Sequence, residues 1–326
     1  MSGAGTQLPA EFSLIARHFA PLAGPGTDGL RDDVAILTPP PGRDLILKAD
    51  ALVEGIHFFP TDPADFVARK LLRVNLSDLA GKGATPIGYL LTISVPRGTP
   101  DAWFAAFAAG LAQDQAEFAV YLMGGDTTST PGPISLSLTI IGHAAPGQTP
   151  RRGGAQPGDD IWVTGTIGDG ALGLAVAQGR LADPTGHLLD RYRLPRPRLG
   201  LALGGLAPNG LVTASMDVSD GLVQDLGHIC RHSGLGAEVE AARVPLSAPA
   251  RAAGPDWMAT ILTGGDDYEV LMTLPPDHAD AMRAEAHRAG IPITRIGRMV
   301  PGLSTVCVLD STGAPIPLGP GGWSHF

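Results

Sequence analysis

The chain is poor in cysteine, in basic residues and in long apolar runs, and each shortage closes a class of function. Two cysteines in 326 residues, Cys230 and Cys307, make none of the spacings that hold zinc. They read as reduced structural thiols of a cytosolic protein. Only 23 lysines and arginines face 32 acids, a formal net charge of −9. That removes the clustered cations a nucleic-acid backbone demands, so no nucleic-acid partner is expected. No stretch of about 18 apolar residues occurs. The opening Met1-Ser2-Gly3-Ala4-Gly5-Thr6 lacks the basic start and apolar run of a signal peptide. A cytoplasmic protein with no membrane partner is expected. The G-x-x-x-x-G-K-[ST] pattern is also missing, which excludes a P-loop.

What is present is a globular composition, 44% hydrophobic and 17% charged, at a length that suits two domains. The 44 glycines and 30 prolines lie scattered between apolar runs without a period, implying tight turns rather than a fibrous repeat. Apolar spacing predicts helices over Glu11–Phe19, Asp65–Leu79 and Asp101–Glu117. Strands are expected at Val34–Leu37, Leu45–Lys48, Tyr89–Val95, Val120–Met123 and Ile134–Ile141. The segment Ala144–Asp160, rich in glycine, proline and arginine, marks a boundary, and the expected domains are 1–148 and 149–326. Beyond it, strands are expected at Ile161–Thr164, Val212–Met216, Glu238–Glu240, Tyr268–Leu274, Ile293–Ile296 and Thr305–Leu309. Helices are expected at Ala171–Gln178, Arg198–Leu206, Leu222–His232 and Pro276–Ala289. The fold class is α/β with mixed sheets.

Five acidic clusters carry the chemistry: Arg31-Asp32-Asp33, Asn75-Leu76-Ser77-Asp78, Gly124-Gly125-Asp126-Thr127-Thr128, Asp217-Val218-Ser219-Asp220-Gly221 and Gly264-Gly265-Asp266-Asp267. Two like charges about 4 Å apart repel by roughly 4 kcal/mol at an effective dielectric of 20. Carboxylates gathered in one cleft therefore call for divalent cations, and oxygen-only ligands select a hard ion such as magnesium that also bridges substrate phosphates. Metal-assisted phosphate chemistry follows.

Each cluster has a plainer reading beside it. Asp220 falls where a helix N-cap is expected, yet two acids and a hydroxyl within four residues exceed what capping needs. Asp78 follows Asn75 by three residues on one helix face, which would otherwise be a solvated face. His57, alone after a strand, carries little weight. Gly168-Asp169-Gly170-Ala171-Leu172-Gly173 satisfies the dinucleotide fingerprint G-x-G-x-x-G, but no acid ends a following strand about 20 residues on. A tight turn with close helix packing fits it better.

Taken in order, these motifs resemble the thiamine-monophosphate kinase family, within a superfamily that includes aminoimidazole ribonucleotide synthetase, selenophosphate synthetase and a hydrogenase maturation protein. The likeness runs from Asp32-Asp33 through Asp50-Ala51-Leu52-Val53-Glu54-Gly55-Ile56-His57-Phe58, Val74-Asn75-Leu76-Ser77-Asp78 and Gly124-Gly125-Asp126-Thr127-Thr128. It continues over Arg152-Gly153-Gly154-Ala155-Gln156-Pro157-Gly158-Asp159 and Asp217-Val218-Ser219-Asp220-Gly221. It ends on Gly264-Gly265-Asp266-Asp267-Tyr268-Glu269 and Gly322-Trp323-Ser324-His325-Phe326.

The resemblance implies several magnesium ions held by Asp33, Asp50, Asp78, Asp126, Asp217 and Asp220. It implies ATP contacts from Gly125, Asp126, Arg152 and Ser219, and thiamine monophosphate contacts from His57, Asp266 and Trp323. It also implies a homodimer whose N-terminal domains pair into a β-barrel, with the C-terminal domain completing the active-site cleft. Four positions depart from the family pattern. Lys48 and Ala49 stand where two hydroxyl residues are usual, Asp266 where glutamate is, and Arg31 where glycine is.

The expected activity is ATP-dependent phosphorylation of thiamine monophosphate by direct transfer, with no general base because the acceptor phosphate is already ionised. The rival readings are a related synthetase or non-catalytic nucleotide-binding maturation protein of the same superfamily, and a dinucleotide-dependent oxidoreductase using Gly168–Gly173.

Overall fold

A computed structural model describes residues 10–204 and 210–318. The chain divides into two compact units. One comprises Met1–Pro41, Leu45–Asn75 and Pro86–His143; the other comprises Gly42–Asp44, Leu76–Thr85 and Ala144–Phe326.

The first unit opens with α1 (Ala10–Leu14), which continues as a π-helical turn over Ile15–Phe19. There follow β1 (Asp44–Val53), α2 (Ala64–Ala80), β2 (Thr85–Pro96), α3 (Asp101–Phe118), β3 (Tyr121–Thr130) and β4 (Ser135–Ala144). The four strands form an open sheet in the order β1-β4-β2-β3, with β2 and β3 parallel. Alternation fixes its faces: Tyr89, Leu91, Ile93 and Val95 are buried while Leu90 and Thr92 are exposed. In β4, Leu136, Leu138 and Ile140 are buried and Ser135, Ser137 and Thr139 alternate with them. Helix α3 contributes Phe104, Phe107 and Leu111 to the core. It also buries a charge. Asp114 accepts Nε of Arg73 at 2.7 Å, Nη2 of Arg73 at 2.9 Å and Nε of Arg69 at 2.9 Å.

The second unit holds β5 (Asp160–Thr164), α4 (Asp169–Ala177), α5 (His187–Arg193), β6 (Ala214–Asp217), α6 (Leu222–Ser233) and β7 (Gly236–Glu240). It continues with α7 (Ala248–Ala253), α8 (Met258–Thr263), β8 (Val270–Leu274), α9 (Ala279–Ala289), β9 (Ile293–Val300) and β10 (Val306–Leu309). Its sheet runs β10-β7-β9-β5-β8-β6. The β10–β7 pair is parallel and the others antiparallel. The central strands β5 and β8 are buried at every position, so their side chains split by alternation into two cores. Ile161, Val163 and Leu271 pack with α4, α6 and α8; Trp162, Met272 and Leu274 pack with α9.

The α/β class with mixed sheets is as expected, and so are most elements. Four readings change. No strand forms over residues 34–37, where the Ile36 amide donates to the Gly26 carbonyl at 2.8 Å. No helix forms over the described part of Arg198–Leu206, residues 198–204; two prolines precede it, and the Arg198 guanidinium is drawn to Glu269 at 2.6 Å. Strand β3 runs on past Met123, so Gly124–Thr128 lies within a strand. Short helices α5, α7 and α8 escape periodicity because so few turns are stabilised by packing rather than by their own sequence. Among the described residues no helix is long and apolar enough to cross a membrane.

Asp114→Ala leaves two arginines without their shared buried partner and should lower the unfolding free energy by roughly 3–5 kcal/mol. Urea denaturation checks this; a loss under ~1 kcal/mol would count against a structural role for the cluster.

Candidate active site

In the first unit, β3 and the segment after the first helical turns line a cleft of about 620 Å³. Asp32, Asp33, Gly124, Gly125, Asp126 and Thr127 supply its polar wall. Asp33 and Asp126 are thus brought to one cavity, both exposed. Gly125 is needed for the strand pairing itself. A Cβ on Gly125 would lie 1.7 Å from the Leu91 carbonyl oxygen, with φ at +153°. Asp50 and His57 belong to the same unit but are not among the residues lining the cleft. Asp50 sits on β1 with Lys48 Nζ 3.1 Å from its carboxylate, and its amide donates to Asn75 Oδ1 at 3.1 Å. The lysine that replaces a usual hydroxyl is therefore a counter-charge to that acid. His57 Nδ1 accepts the Val53 amide at 3.0 Å, which leaves Nε2 as the proton-bearing nitrogen of the neutral ring.

In the second unit, residues 76–85 dock against the edge strand β6. The buried Ser77 hydroxyl donates to Asp217 Oδ2 at 2.7 Å, Ser215 Oγ donates to the Gly81 carbonyl at 2.8 Å, and Lys82 Nζ donates to the Ser215 carbonyl at 2.6 Å. Burial draws the Lys82 ammonium down to about 8, while the charges of Asp217 and Asp78 oppose that and those of Arg152 and Arg151 add to it. Asp78, Asp217 and Arg152 accordingly share one electrostatic neighbourhood around Lys82.

The Asp217–Gly221 loop is not capped as expected. Gly221 is the N-cap residue of α6, and no side chain caps there. Asp225, one turn into the helix, instead accepts the amides of Ser219 and Asp220 at 3.0 Å and of Gly221 at 3.1 Å, all on Oδ2. Burial, then the like charges of Asp217 and Asp220, push the Asp225 carboxyl up to about 8 against the pull of those amides. Asp220, Asp225 and His228 place ligand atoms within 4.8 Å of one another. His228 is unsuited to a metal, because its Nδ1 accepts Arg231 Nη2 at 3.0 Å and the other nitrogen then carries the proton.

The Gly264–Tyr268 loop lies against the same residues. The Asp266 amide donates to the Ser219 carbonyl at 2.9 Å and the Tyr268 amide to the Val218 carbonyl at 2.7 Å. Asp266 and Tyr268 both adopt positive φ, +70° and +54°, a strained choice for non-glycine residues that clusters at functional sites. Tyr268 Oη donates to Asp266 Oδ1 at 3.1 Å. Trp323 lies outside the described residues.

Asp267 settles the dinucleotide fingerprint. Fully buried, it accepts the Gly168 amide at 2.7 Å and the Gly170 amide at 3.0 Å, so the amides a pyrophosphate would need at the start of α4 are already taken. A Cβ on Gly173 would meet the Leu188 carbonyl oxygen at 2.1 Å, which is the close packing of α4 on α5.

Sequence reading missed three contributors: Ser77, quoted but given no role, Lys82 and Asp225. The only available signal for Asp225 was an acid in the first turn of a helix behind an acidic loop.

Both units match one family. The N-terminal domain of AIR synthase related protein matches residues 31–144 and its C-terminal domain residues 156–310, so the chain has the two-domain α/β architecture of that class. A thiamine-monophosphate kinase of Caulobacter vibrioides is 44% identical over 306 residues, covering 90% of this chain and 85% of that protein. The crystal structure of a thiamine-monophosphate kinase from Stenotrophomonas maltophilia K279a is similar at TM-score 0.78 and 39% identity, over 88% of this chain and 91% of that one. A structure of AaThiL complexed with AMPPCP and TMP is similar at TM-score 0.75 and 26% identity, over 97% and 94%. Within the AIR synthase related class, the chain belongs to the thiamine-monophosphate kinase family.

Gly125→Ala should push β3 off β2 and cost about 1–3 kcal/mol of stability, read as a lowered thermal midpoint. An unchanged midpoint would mean that the strand has room that the Leu91 contact denies.

Proposed function

We propose that this chain transfers the γ-phosphoryl group of ATP to the phosphate of thiamine monophosphate, giving thiamine diphosphate and ADP. The observation that carries this is the 44% identity to a thiamine-monophosphate kinase along 90% of the chain. A phosphate oxygen of the acceptor forms a bond to the γ-phosphorus, and the bond to the β,γ-bridging oxygen breaks. Because the acceptor is an anion at neutral pH, no proton needs removing, and the protein's task is alignment and charge compensation.

The donor set fits magnesium. The acids are accompanied by hydroxyls and glycine amides and by no thiol, and the upward push that Asp217 and Asp220 exert on Asp225 is a concentration of negative charge that a cation relieves. In the first unit Asp33, Asp50 and Asp126 would hold the metal; in the second, Asp78, Asp217 and Asp220 would. Bound there, magnesium neutralises charge along the triphosphate. Gly125, Asp126, Arg152 and Ser219 are assigned to ATP. His57, with Nε2–H as a donor, Asp266 and Trp323 are assigned to thiamine monophosphate, the indole stacking on its cationic ring.

Residues 1–148 are assigned dimerisation and part of the metal and ATP sites, and 149–326 the remaining site residues, in a cytoplasmic homodimer. Leu45 and Leu47 on β1 are exposed, apolar side chains that pairing with a second copy into a barrel would cover. Leu47→Glu should convert a dimeric mass by light scattering into a monomeric one; a wild-type protein that is already monomeric sinks the barrel.

The decisive assay mixes the protein with ATP, magnesium and thiamine monophosphate. Thiamine diphosphate and ADP should appear in equal amounts, and Asp126→Asn or Asp217→Asn should lower turnover by orders of magnitude with folding intact. Near-normal turnover of either variant at saturating magnesium removes that residue from the site.

A further inference from the structure

We infer that Asp225 is a positioning residue for the Asp217–Gly221 loop, and that its side-chain oxygen takes there the place a bound anion takes in other loops. The inference rests on the proposed role of Asp217 and Asp220 as metal ligands and adds a residue to it. Three consecutive amides, of Ser219, Asp220 and Gly221, converge on the single oxygen Oδ2 of Asp225 at 3.0, 3.0 and 3.1 Å. Such convergence is the geometry of an anion nest. Here a side chain of the protein occupies it permanently, so these amides are withdrawn from nucleotide phosphates.

The rest of the loop is held from the other side. The Ser219 and Val218 carbonyls accept the Asp266 and Tyr268 amides. A Cβ on Gly221 would lie 2.5 Å from the Thr263 carbonyl oxygen, and one on Gly265 2.3 Å from the Ser219 carbonyl oxygen. The backbone is therefore gripped at carbonyls by one loop and at amides by Asp225. Asp225 itself is 1% exposed, and its own amide donates to the Gly221 carbonyl at 2.9 Å, so it is anchored in α6 with little freedom to move. Ser219 and Asp220, by contrast, are half-exposed. The Ser219 and Asp220 side chains are presented outward because the loop's amides are turned inward.

Positioning and charge are separable by substitution. Asparagine keeps a carbonyl oxygen where Oδ2 lies and can accept the same three amides without a charge, whereas alanine leaves all three unpaired. Binding of Mn2+, followed by the paramagnetic signal of the free ion at 10 °C, with and without ADP, reads the ligand geometry independently of turnover. Asp225→Ala should weaken Mn2+ binding at least ten-fold with an unchanged far-ultraviolet dichroism spectrum. Asp225→Asn should stay within about three-fold of wild type, and the KM for thiamine monophosphate should remain unchanged in both. Amide hydrogen exchange on the metal-free wild-type protein should show Ser219, Asp220 and Gly221 protected; this measurement decides the matter if the alanine variant does not fold.

Wild-type Mn2+ affinity in Asp225→Ala, a loss in Asp225→Asn as large as in the alanine variant, or exchange of the three amides at the rate of an open loop would each overturn the inference. Asp217→Asn serves as the control: if that variant keeps full Mn2+ affinity, the metal reading fails rather than the positioning role.

Discussion

A carboxylate removed from water must be met by something positive, and in the second unit that requirement organises the whole neighbourhood of the site. Asp267 meets the amides of Gly168 and Gly170, Glu269 meets the guanidinium groups of Arg191 and Arg198, and Asp225 meets three amides of the Asp217–Gly221 loop. Each of these acids lies entirely out of solvent. An unpaired ionised carboxylate would be costly at such depth, so the amides that meet Asp267 and Asp225 are held as firmly as the acids themselves. The loops carrying Asp217, Ser219, Asp220 and Asp266 are shaped by these buried neighbours rather than by their own exposed residues.

The same principle divides acids that look alike in the chain. Asp266 and Asp267 are adjacent, yet one is half-exposed in a left-handed backbone conformation and the other is wholly buried as an acceptor for amides. Asp220 and Asp225 are five residues apart; one faces outward and the other holds the loop in place. The half-exposed acids thus differ from those whose carboxyl oxygens are committed to backbone amides.

Much of the architecture was legible because it follows from periodicity. The alternation in β2 and β4, and the helical spacing in α2, α3 and α6, place apolar side chains on one face whatever the rest of the chain does. Where reading failed, a distant partner had decided the outcome. The helix expected from Arg198 does not form over its described residues, since Arg198 turns to Glu269, 71 positions away. The strand expected at Val120–Met123 is bounded by its apolar residues and leaves out the glycine- and hydroxyl-rich segment Gly124–Thr128. That segment is instead the continuation of β3, paired in register with Leu90–Ser94 of β2. The glycine there serves close strand approach rather than reversal.

The clusters of aspartate, glycine and hydroxyl residues, the acidic balance and the lack of a P-loop raised metal-assisted phosphate chemistry as an expectation, and their order along the chain carried the resemblance to the family. All of this is local: residue type and short spacing determine what a segment is chemically able to bind. Tertiary structure alone decided that Gly168–Gly173 is a packing turn, that Lys82 sits in the field of Asp78 and Asp217, and that Asp225 shapes the loop of Asp217. Those outcomes depend on which backbone amides and charges arrive from elsewhere to satisfy a buried group, and a pattern of neighbours in sequence contains no record of them.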